Sequence, residues 1–217
     1  MDSTFTTSSA IKTGWKLTKG NASLLFKVML TIGALEIISA VSNVKKVSTS
    51  SDVLLVILST ATGIVSAVLI IGLMIISLKL VRGESASYED ILPKWHTIWR
   101  FALVSVVSGA ITLIGFVLLI IPGIYLMLRF ALVKFLIIDK KSVGIMEALR
   151  ESSNLTIGVK WELLGLLLVI LLINILGVIP AGLGLLVTIP ISMIALAHVY
   201  VALTKKVSAP VSSEGQS

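Results

Sequence analysis

Four long apolar tracts constrain the fold of this chain more than any other feature of its sequence. They run from Ala22 to Val41, from Val53 to Leu78, from Phe101 to Ile138 and from Leu163 to Leu203. A helix needs about 20 apolar residues to cross the hydrocarbon core of a bilayer, inside which the chain itself has to satisfy every backbone polar group. Each tract therefore predicts at least one membrane-spanning helix.

The third and fourth tracts are too long for one crossing. As one helix, residues 101–138 would extend about 57 Å, nearly twice the thickness of the hydrocarbon core. Each tract contains proline and glycine near its middle, at Pro122-Gly123 and at Pro180-Ala181-Gly182. Because proline lacks a backbone donor and glycine permits a tight turn, we interpret each tract as a helical hairpin, which gives six spans in total.

The basic residues support this count and set the orientation. Of the 18 lysines and arginines, 14 lie in the N-terminal segment and its flank, in the loops after spans two and four, and in the tail. Six spans place all of these on one side and leave Lys45 and Lys46 on the other, whereas five spans would place one basic flank outside. Since cytoplasmic loops carry the excess of lysine and arginine, we expect a multipass protein of the cell (inner) membrane with both termini in the cytoplasm.

The composition excludes several classes of function. Only 13% of the residues are charged, against about 25% in soluble proteins, so lipid has to cover much of the surface. The net charge of +7 would suggest nucleic acid as the partner of a soluble protein. Here the basic residues flank apolar tracts, so we expect no nucleic-acid partner and instead membrane lipids, with anionic headgroups on the cytoplasmic side. The sequence leaves open a protein partner or a homo-oligomer.

Three stretches next to the spans have the spacing of amphipathic helices, at 10–20, 87–100 and 145–155. A basic amphipathic helix that carries tryptophan is typical of the headgroup plane. Interfacial lipid contacts are therefore expected from basic and aromatic side chains on the cytoplasmic side: Lys12, Trp15, Lys16, Lys19, Trp95, Trp99 and Trp161.

These patterns predict an all-α fold, a polytopic membrane bundle of about six transmembrane helices with cytoplasmic amphipathic interfacial helices. We divide the chain into a cytoplasmic amphipathic segment (1–21), a six-span membrane domain (22–204) and a disordered cytoplasmic tail (205–217). An internal parallel repeat is a further hypothesis, because AIKTGWKLTKG at 10–20 and ALRESSNLTIG at 148–158 share four of eleven positions. The alternative is chance similarity between stretches of restricted composition.

ALRESSNLTIG, together with LLIIPGIYLMLRFALVKFLIIDK and a proline-interrupted last span, resembles one family of proteins. This is the membrane domain of some bacterial glycerophosphodiester phosphodiesterases, with its stand-alone multipass relatives, and the resemblance covers about 87–203. Ser153 departs from the family pattern, which has tryptophan there, whereas Trp15 keeps it in the first copy. The catalytic barrel of those enzymes is absent from these 217 residues, so the resemblance implies a multipass fold without phosphodiesterase activity.

Three polar side chains inside the predicted spans form a candidate cluster. Glu36, Arg129 and Asn174 each lie five or six residues from the outer end of a span, which places them about 8 Å below the outer surface. We hypothesise an ion pair between Glu36 and Arg129, supported by Asn174, with a structural role. The alternative is that each side chain reaches the nearby surface separately.

Span two carries a different pattern, in which Ser59, Gly63 and Ala67 recur every four residues. Small residues at this spacing let membrane helices approach closely. We therefore predict a helix-packing seam on this face of span two.

The sequence lacks the spacing of an enzyme site. The two histidines, His96 and His198, do not have metal-ligand spacing, and the G-x-S-x-G and H-E-x-x-H motifs do not occur. We expect no catalytic residue, no cofactor and no metal site. The first hypothesis is a non-catalytic membrane module, either a scaffold or a lipid- or partner-associated protein. The alternatives are a small permease of unknown substrate and, third, a lipid-modifying enzyme built on Glu89, Asp90 and His96, which a solvated loop explains as well.

The orientation can be tested with peptide tags at the two termini. Both tags should be inaccessible from outside intact cells and accessible once the membrane is opened, because both ends adjoin basic segments. Antibody labelling of intact and permeabilised cells measures this. A tag that is reached from outside intact cells would contradict six spans with both ends in the cytoplasm.

Overall fold

The structure is a computed structural model that describes residues 5–48, 53–140, 143–180 and 182–208. Within these ranges the chain forms helices and no strand. The helices are α1 (Thr7–Gly20), α2 (Ala22–Ser48), α3 (Val53–Arg82), α4 (Trp95–Leu118), α5 (Ile120–Arg129), α6 (Val133–Asp139), α7 (Ile145–Leu155), α8 (Lys160–Val178) and α9 (Leu185–Ser208), with a short 3-10 helix at Tyr88–Ile91.

Six helical stretches within the described ranges are long and apolar enough to cross a membrane: Ala22–Ala40, Val56–Arg82, Trp95–Leu118, Ile120–Asp139, Lys160–Val178 and Leu185–Val207. They confirm the predicted all-α polytopic bundle. The fourth stretch is not one helix, because turns at 130–132 separate α5 from α6. Helix α9 extends to Ser208 and so into the predicted tail, of which residues 209–217 lie outside the described residues.

The hairpin between α4 and α5 turns at Leu119, whereas the sequence predicts the turn at Pro122-Gly123. Leu119 has an extended backbone, with φ −164° and ψ 152°. Pro122 lies in the first turn of α5, where a helix tolerates proline because no backbone donor is needed there. A Cβ atom on Gly123 would lie 2.9 Å from the Phe116 Cα atom. Gly123 therefore lets the two helices approach closely and does not make the turn.

The hairpin between α8 and α9 turns within 179–184, where the sequence predicts it, although Ala181 lies outside the described residues. Gly182 has φ +80°, a left-handed conformation that glycine adopts readily. The backbones meet beside this turn, because a Cβ atom on Gly184 would lie 2.7 Å from the Gly177 Cα atom. We call the end of the bundle that contains Leu119 and Gly182 the hairpin end.

Helix α9 lies at the centre of the packed core, in contact with α1, α3 and α8. Its fully buried residues are Ile194, Ala195, Ala197, Val199 and Tyr200. Towards the hairpin end the apolar side chains become exposed, as with Leu118, Ile121 and Ile179, which are 70–81% accessible. An apolar surface of this extent requires lipid to cover it.

Helix α1 packs on this core, whereas the sequence predicts an independent helix in the headgroup plane. Its residues Ala10, Gly14 and Thr18 are buried, and a Cβ atom on Gly14 would lie 2.6 Å from the Ile191 carbonyl oxygen. Small residues at intervals of four allow this close approach of the two backbones. Asn21 alone separates α1 from α2, so α1 is part of the bundle and not a separate segment.

The predicted seam on α3 is wrong for contacts within the chain. Gly63 and Ala67 are exposed and Ser59 is half-buried, and no described atom lies within 4 Å of a Cβ built on Gly63. In this part of α3 the buried small polar residues are Thr62 and Ser66, each one position before a predicted one. One residue is a rotation of about 100° around a helix, so the spacing identifies the periodicity but not the face.

Replacement of Gly14 by alanine should destabilise the protein by about 1–3 kcal/mol, because the new methyl group meets packed backbone. Gly20→Ala is the control, since a Cβ atom there meets nothing within 4 Å and alanine favours a helix over glycine. Thermal unfolding of both variants in detergent measures the difference. Equal melting temperatures would contradict the close packing of α1 on α9.

Candidate functional site

An ionic cluster joins three helices at the end of the bundle opposite the hairpin end. The Arg82 Nη2 atom lies 2.7 Å from the Asp139 Oδ2 atom, and the Tyr200 hydroxyl donates to the same oxygen over 2.8 Å. Phe135 stacks on Tyr200 with 5.9 Å between the ring centroids. Asp139 therefore ties the last turns of α3 and α6 to α9. We call this region the ionic end.

A second ion pair fixes the loop after α3. The Lys79 Nζ atom donates to Asp90 Oδ1 over 2.6 Å, and the Ser87 backbone N–H donates to Asp90 Oδ2 over 2.9 Å. Burial alone would raise the pKa of Asp90, but the hydrogen bonds from Lys79 and Ser87, with the lysine charge, hold that pKa below its ordinary value. The loop also packs closely on α3, because a Cβ atom on Gly72 would collide with the Ile91 carbonyl group.

A cavity of about 450 Å³ lies between these two ion pairs. Its charged lining residues are Lys79, Arg82, Glu84, Glu89, Asp90, Lys94 and Asp139. Asp90 and Asp139 each pair with a basic side chain, and a carboxylate held in this way is a poor general acid or base. The two ion pairs therefore hold the loop after α3 and the last turns of α3 and α6 in place around the cavity.

The structure does not join the three polar side chains predicted to form an intramembrane cluster. The Arg129 guanidinium donates to the Ser153 hydroxyl on α7, and the Asn174 amide donates to the Ser192 hydroxyl on α9 over 2.9 Å. Glu36 is exposed on α2. The predicted Glu36–Arg129 ion pair is therefore wrong. The ion pairs in the described part of the chain are Lys79–Asp90, Arg82–Asp139 and Lys140–Glu151.

The docking of α7 on the bundle explains this difference. Helix α7 buries Ala148, Leu149 and Ser152, and the Ser152 hydroxyl donates to the Arg129 carbonyl oxygen over 3.0 Å. Arg129 is the last residue of α5, directly before the turns at 130–132. Arg129 therefore contacts α7. Its position within the predicted span gives no indication of a partner on this separate helix.

The open face of α1 carries the exposed residues Lys12, Lys16 and Lys19, with Trp15 beside them. Helix α1 has no acidic residue, and these lysines form no ion pair with the described part of the chain. Two apolar grooves flank the helix and share Trp15. One, of about 650 Å³, lies against α8 and α9, and the other, of about 320 Å³, lies against α2 and α9.

These lysines lie beside the apolar part of α9. Helix α1 contacts Ile191, nine residues before Tyr200, and the smaller groove extends to Val187. At 1.5 Å per residue, these positions are about 14 Å and 20 Å along α9 from the ionic end. An ammonium group at the centre of a bilayer costs about 3 kcal/mol, so an anionic group or water has to reach the lysines.

The other aromatic residues predicted at the interface are accessible. Trp95 and Trp99 in the first turns of α4, and Trp161 at the start of α8, are 60–82% exposed. The neighbouring Arg100 guanidinium donates to the Lys140 carbonyl oxygen over 3.3 Å, which places Trp99 near the ionic end. Tryptophan beside a charged end is typical of a membrane–water interface.

Together these features define a polytopic α-helical membrane protein with a tightly paired ionic end and a lysine-bearing helix beside apolar grooves. Comparisons of the chain with protein-family models, with curated proteins and with solved structures find no match. The geometry of the bundle is therefore the basis for assigning a function.

Removal of the Asp139 charge should lower the stability of the bundle. Asp139→Asn breaks the ion pair to Arg82 and weakens the bond from Tyr200, and hydrogen bonds to charged groups are worth about 1.5–3 kcal/mol each. Because both members of the pair are partly exposed, we expect a loss near the lower end of that range. Thermal unfolding in detergent measures it.

Glu151→Gln is the matched control, because its pair with Lys140 is more exposed. Exposed ion pairs contribute about 0–1 kcal/mol, so this variant should unfold close to the unmodified protein. Equal destabilisation by the two variants would mean that Asp139 does not hold the three helices together.

Proposed function

We propose that the protein is a non-catalytic membrane module that binds anionic phospholipid along α1. The observation that carries this proposal is the docking of a helix with three lysines and no acidic residue beside apolar grooves. A phospholipid offers an acyl chain for a groove and a phosphate for a lysine. Such a module associates with lipid, or holds a partner in the membrane, without chemistry of its own.

The larger groove has the composition expected for an acyl-chain site. Its apolar lining includes Ile11, Leu176 and Ile191, and Lys12 also lines it. An acyl chain would cover the apolar wall while the ammonium group binds the phosphate, an interaction worth about 1 kcal/mol per lysine near an anionic surface.

The proposal includes a location and an orientation. The protein lies in the inner membrane of the cell, with the ionic end and both termini in the cytoplasm. The excess of basic residues on that side supports it. Helix α1 begins near the same end, since the Thr7 hydroxyl donates to the Glu162 carbonyl oxygen over 3.5 Å. Anionic lipids are enriched in the cytoplasmic leaflet, and the long side chains of the α1 lysines would extend towards their headgroups.

Kinship with the membrane domain of glycerophosphodiester phosphodiesterases is part of the same proposal. The residues of the resemblance occupy defined elements, since ALRESSNL covers most of α7 and Pro122 lies in the first turn of α5. The absence of catalysis is supported by the pairing of Asp90 and Asp139 with basic side chains.

A small permease is the second candidate, and one observation favours it. The Asn174 Oδ1 and Thr188 Oγ1 atoms are buried without a partner in the described chain. Polar atoms inside a membrane bundle often mark a substrate pathway. Flux of a substrate across sealed vesicles that contain the protein would favour transport, whereas lipid selectivity without flux would favour the module.

Replacement of Lys12, Lys16 and Lys19 by glutamine should abolish the preference for anionic lipid. At about 1 kcal/mol for each lysine, selectivity for phosphatidylglycerol over phosphatidylcholine with the same acyl chains should fall by about two orders of magnitude. Native mass spectrometry of the full chain, equilibrated with either lipid in detergent, measures the lipid that is retained.

The control is a variant in which Lys45 and Lys46 are replaced by glutamine, because it removes positive charge outside α1. It should retain phosphatidylglycerol as the unmodified protein does. Equal retention of the two lipids by the unmodified protein would reject the proposal without reference to any variant.

A further inference from the structure

We propose that the crevice between α3, α4 and the α5–α6 segment binds a fatty acid, a long-chain carboxylate. Its volume is about 570 Å³, within the range of about 300–1,000 Å³ for small-molecule sites. It shares no lining residue with the grooves beside α1, because it meets α9 at Met193 and Leu196 on the other side of that helix. The inference therefore goes beyond the proposed function and does not depend on it.

One end of the crevice has the groups that a carboxylate requires. The Lys134 Nζ atom lies 5.6 Å from the centre of the Phe101 ring, and it forms no ion pair with the described part of the chain. Ser105 follows Phe101 by one turn on the same face of α4, and its Oγ atom is buried without a partner in the described chain. One ammonium group and one hydroxyl donor match a single monovalent anion.

The rest of the crevice is long and mainly apolar, and the hydroxyls of its two further polar residues, Ser108 and Thr112, donate to backbone carbonyls of α4. Its lining continues along α4 through Leu113 to Phe116, with Met127 and Phe130 opposite. Phe116 follows Phe101 by 15 positions, which correspond to about 22 Å of helix. A short acid would leave this apolar surface uncovered, so the anion has to carry a long hydrocarbon chain.

The single path of the crevice and the position of Lys134 favour a fatty acid over a bilayer phospholipid. Lys134 lies five residues before Asp139, or about 8 Å along the chain from the ionic end. A carboxylate that is joined directly to its chain reaches this depth when the chain lies in the crevice. A bilayer phospholipid carries two acyl chains, whereas the crevice offers one path for one chain.

Palmitate should bind the purified full chain in detergent. Palmityl alcohol, which has the same chain without the charge, should bind with an affinity at least about tenfold lower. The reason is that a charged hydrogen bond is worth about 1.5–3 kcal/mol. Lys134→Met should weaken palmitate binding by a similar factor, whereas Lys134→Arg should retain most of it. Equilibrium binding of radiolabelled palmitate, with the alcohol as competitor, measures these affinities.

Gly109→Phe provides a second test, because Gly109 lines the crevice and a Cβ atom there meets nothing within 4 Å. The ring should fill the crevice and abolish palmitate binding. The variant in which Lys12, Lys16 and Lys19 are replaced by glutamine should bind palmitate as the unmodified protein does. Lys134→Met should likewise retain phosphatidylglycerol. The two experiments therefore distinguish failure of this proposal from failure of the proposed function. Equal affinity of the unmodified protein for palmitate and palmityl alcohol would overturn the proposal, and so would undiminished palmitate binding by Gly109→Phe.

Discussion

Close contact between backbones is the constraint on which this bundle depends. Membrane helices gain little from hydrophobic burial against one another, because lipid is as apolar as they are, so their association relies on packing at short range. Four glycine contacts meet this requirement: Gly14 on Ile191, Gly72 on Ile91, Gly115 on Gly123 and Gly177 on Gly184. Two of them close the hairpins, one seats α1 on α9, and one holds the loop after α3 against its own helix.

Basic side chains in this protein fall into two groups, those that are paired within the bundle and those that have no acidic partner in the described chain and can bind an anionic ligand. Asp139 and Asp90 each neutralise a basic side chain within the bundle, and both pairs lie where helices or a loop have to be fixed. Lys134 and the lysines of α1 have no acidic partner in the described chain. Lys12, Lys19 and Lys134 line apolar grooves, so the fold leaves positive charge beside apolar surface, the combination on which both proposals rest.

The number of spans could be predicted because bilayer thickness fixes the length of an apolar helix. The contacts between spans could not, because periodicity defines a face only to within about one residue and does not identify its partner. Thus Gly63 has the right spacing but lies beside the buried face that contains Thr62 and Ser66. Asp139 is an acidic residue directly after the third apolar tract, and this position indicates a charged group at that end of the span. Its partners on α3 and α9 are distant in sequence and required the structure.

Under the proposed function, the position of α1 links the stability of the bundle to its lipid. Ala10, Gly14 and Thr18 hold the helix on α9, while its opposite face places three ammonium groups beside apolar surface. At about 3 kcal/mol for each uncompensated charge, the cost approaches the whole stability of a typical domain, about 5–15 kcal/mol. Docking of α1 is therefore stable when the long lysine chains reach water or anionic headgroups. Under the proposed function, lipid that binds the docked helix would also stabilise it, and docking and lipid binding would be two aspects of one equilibrium.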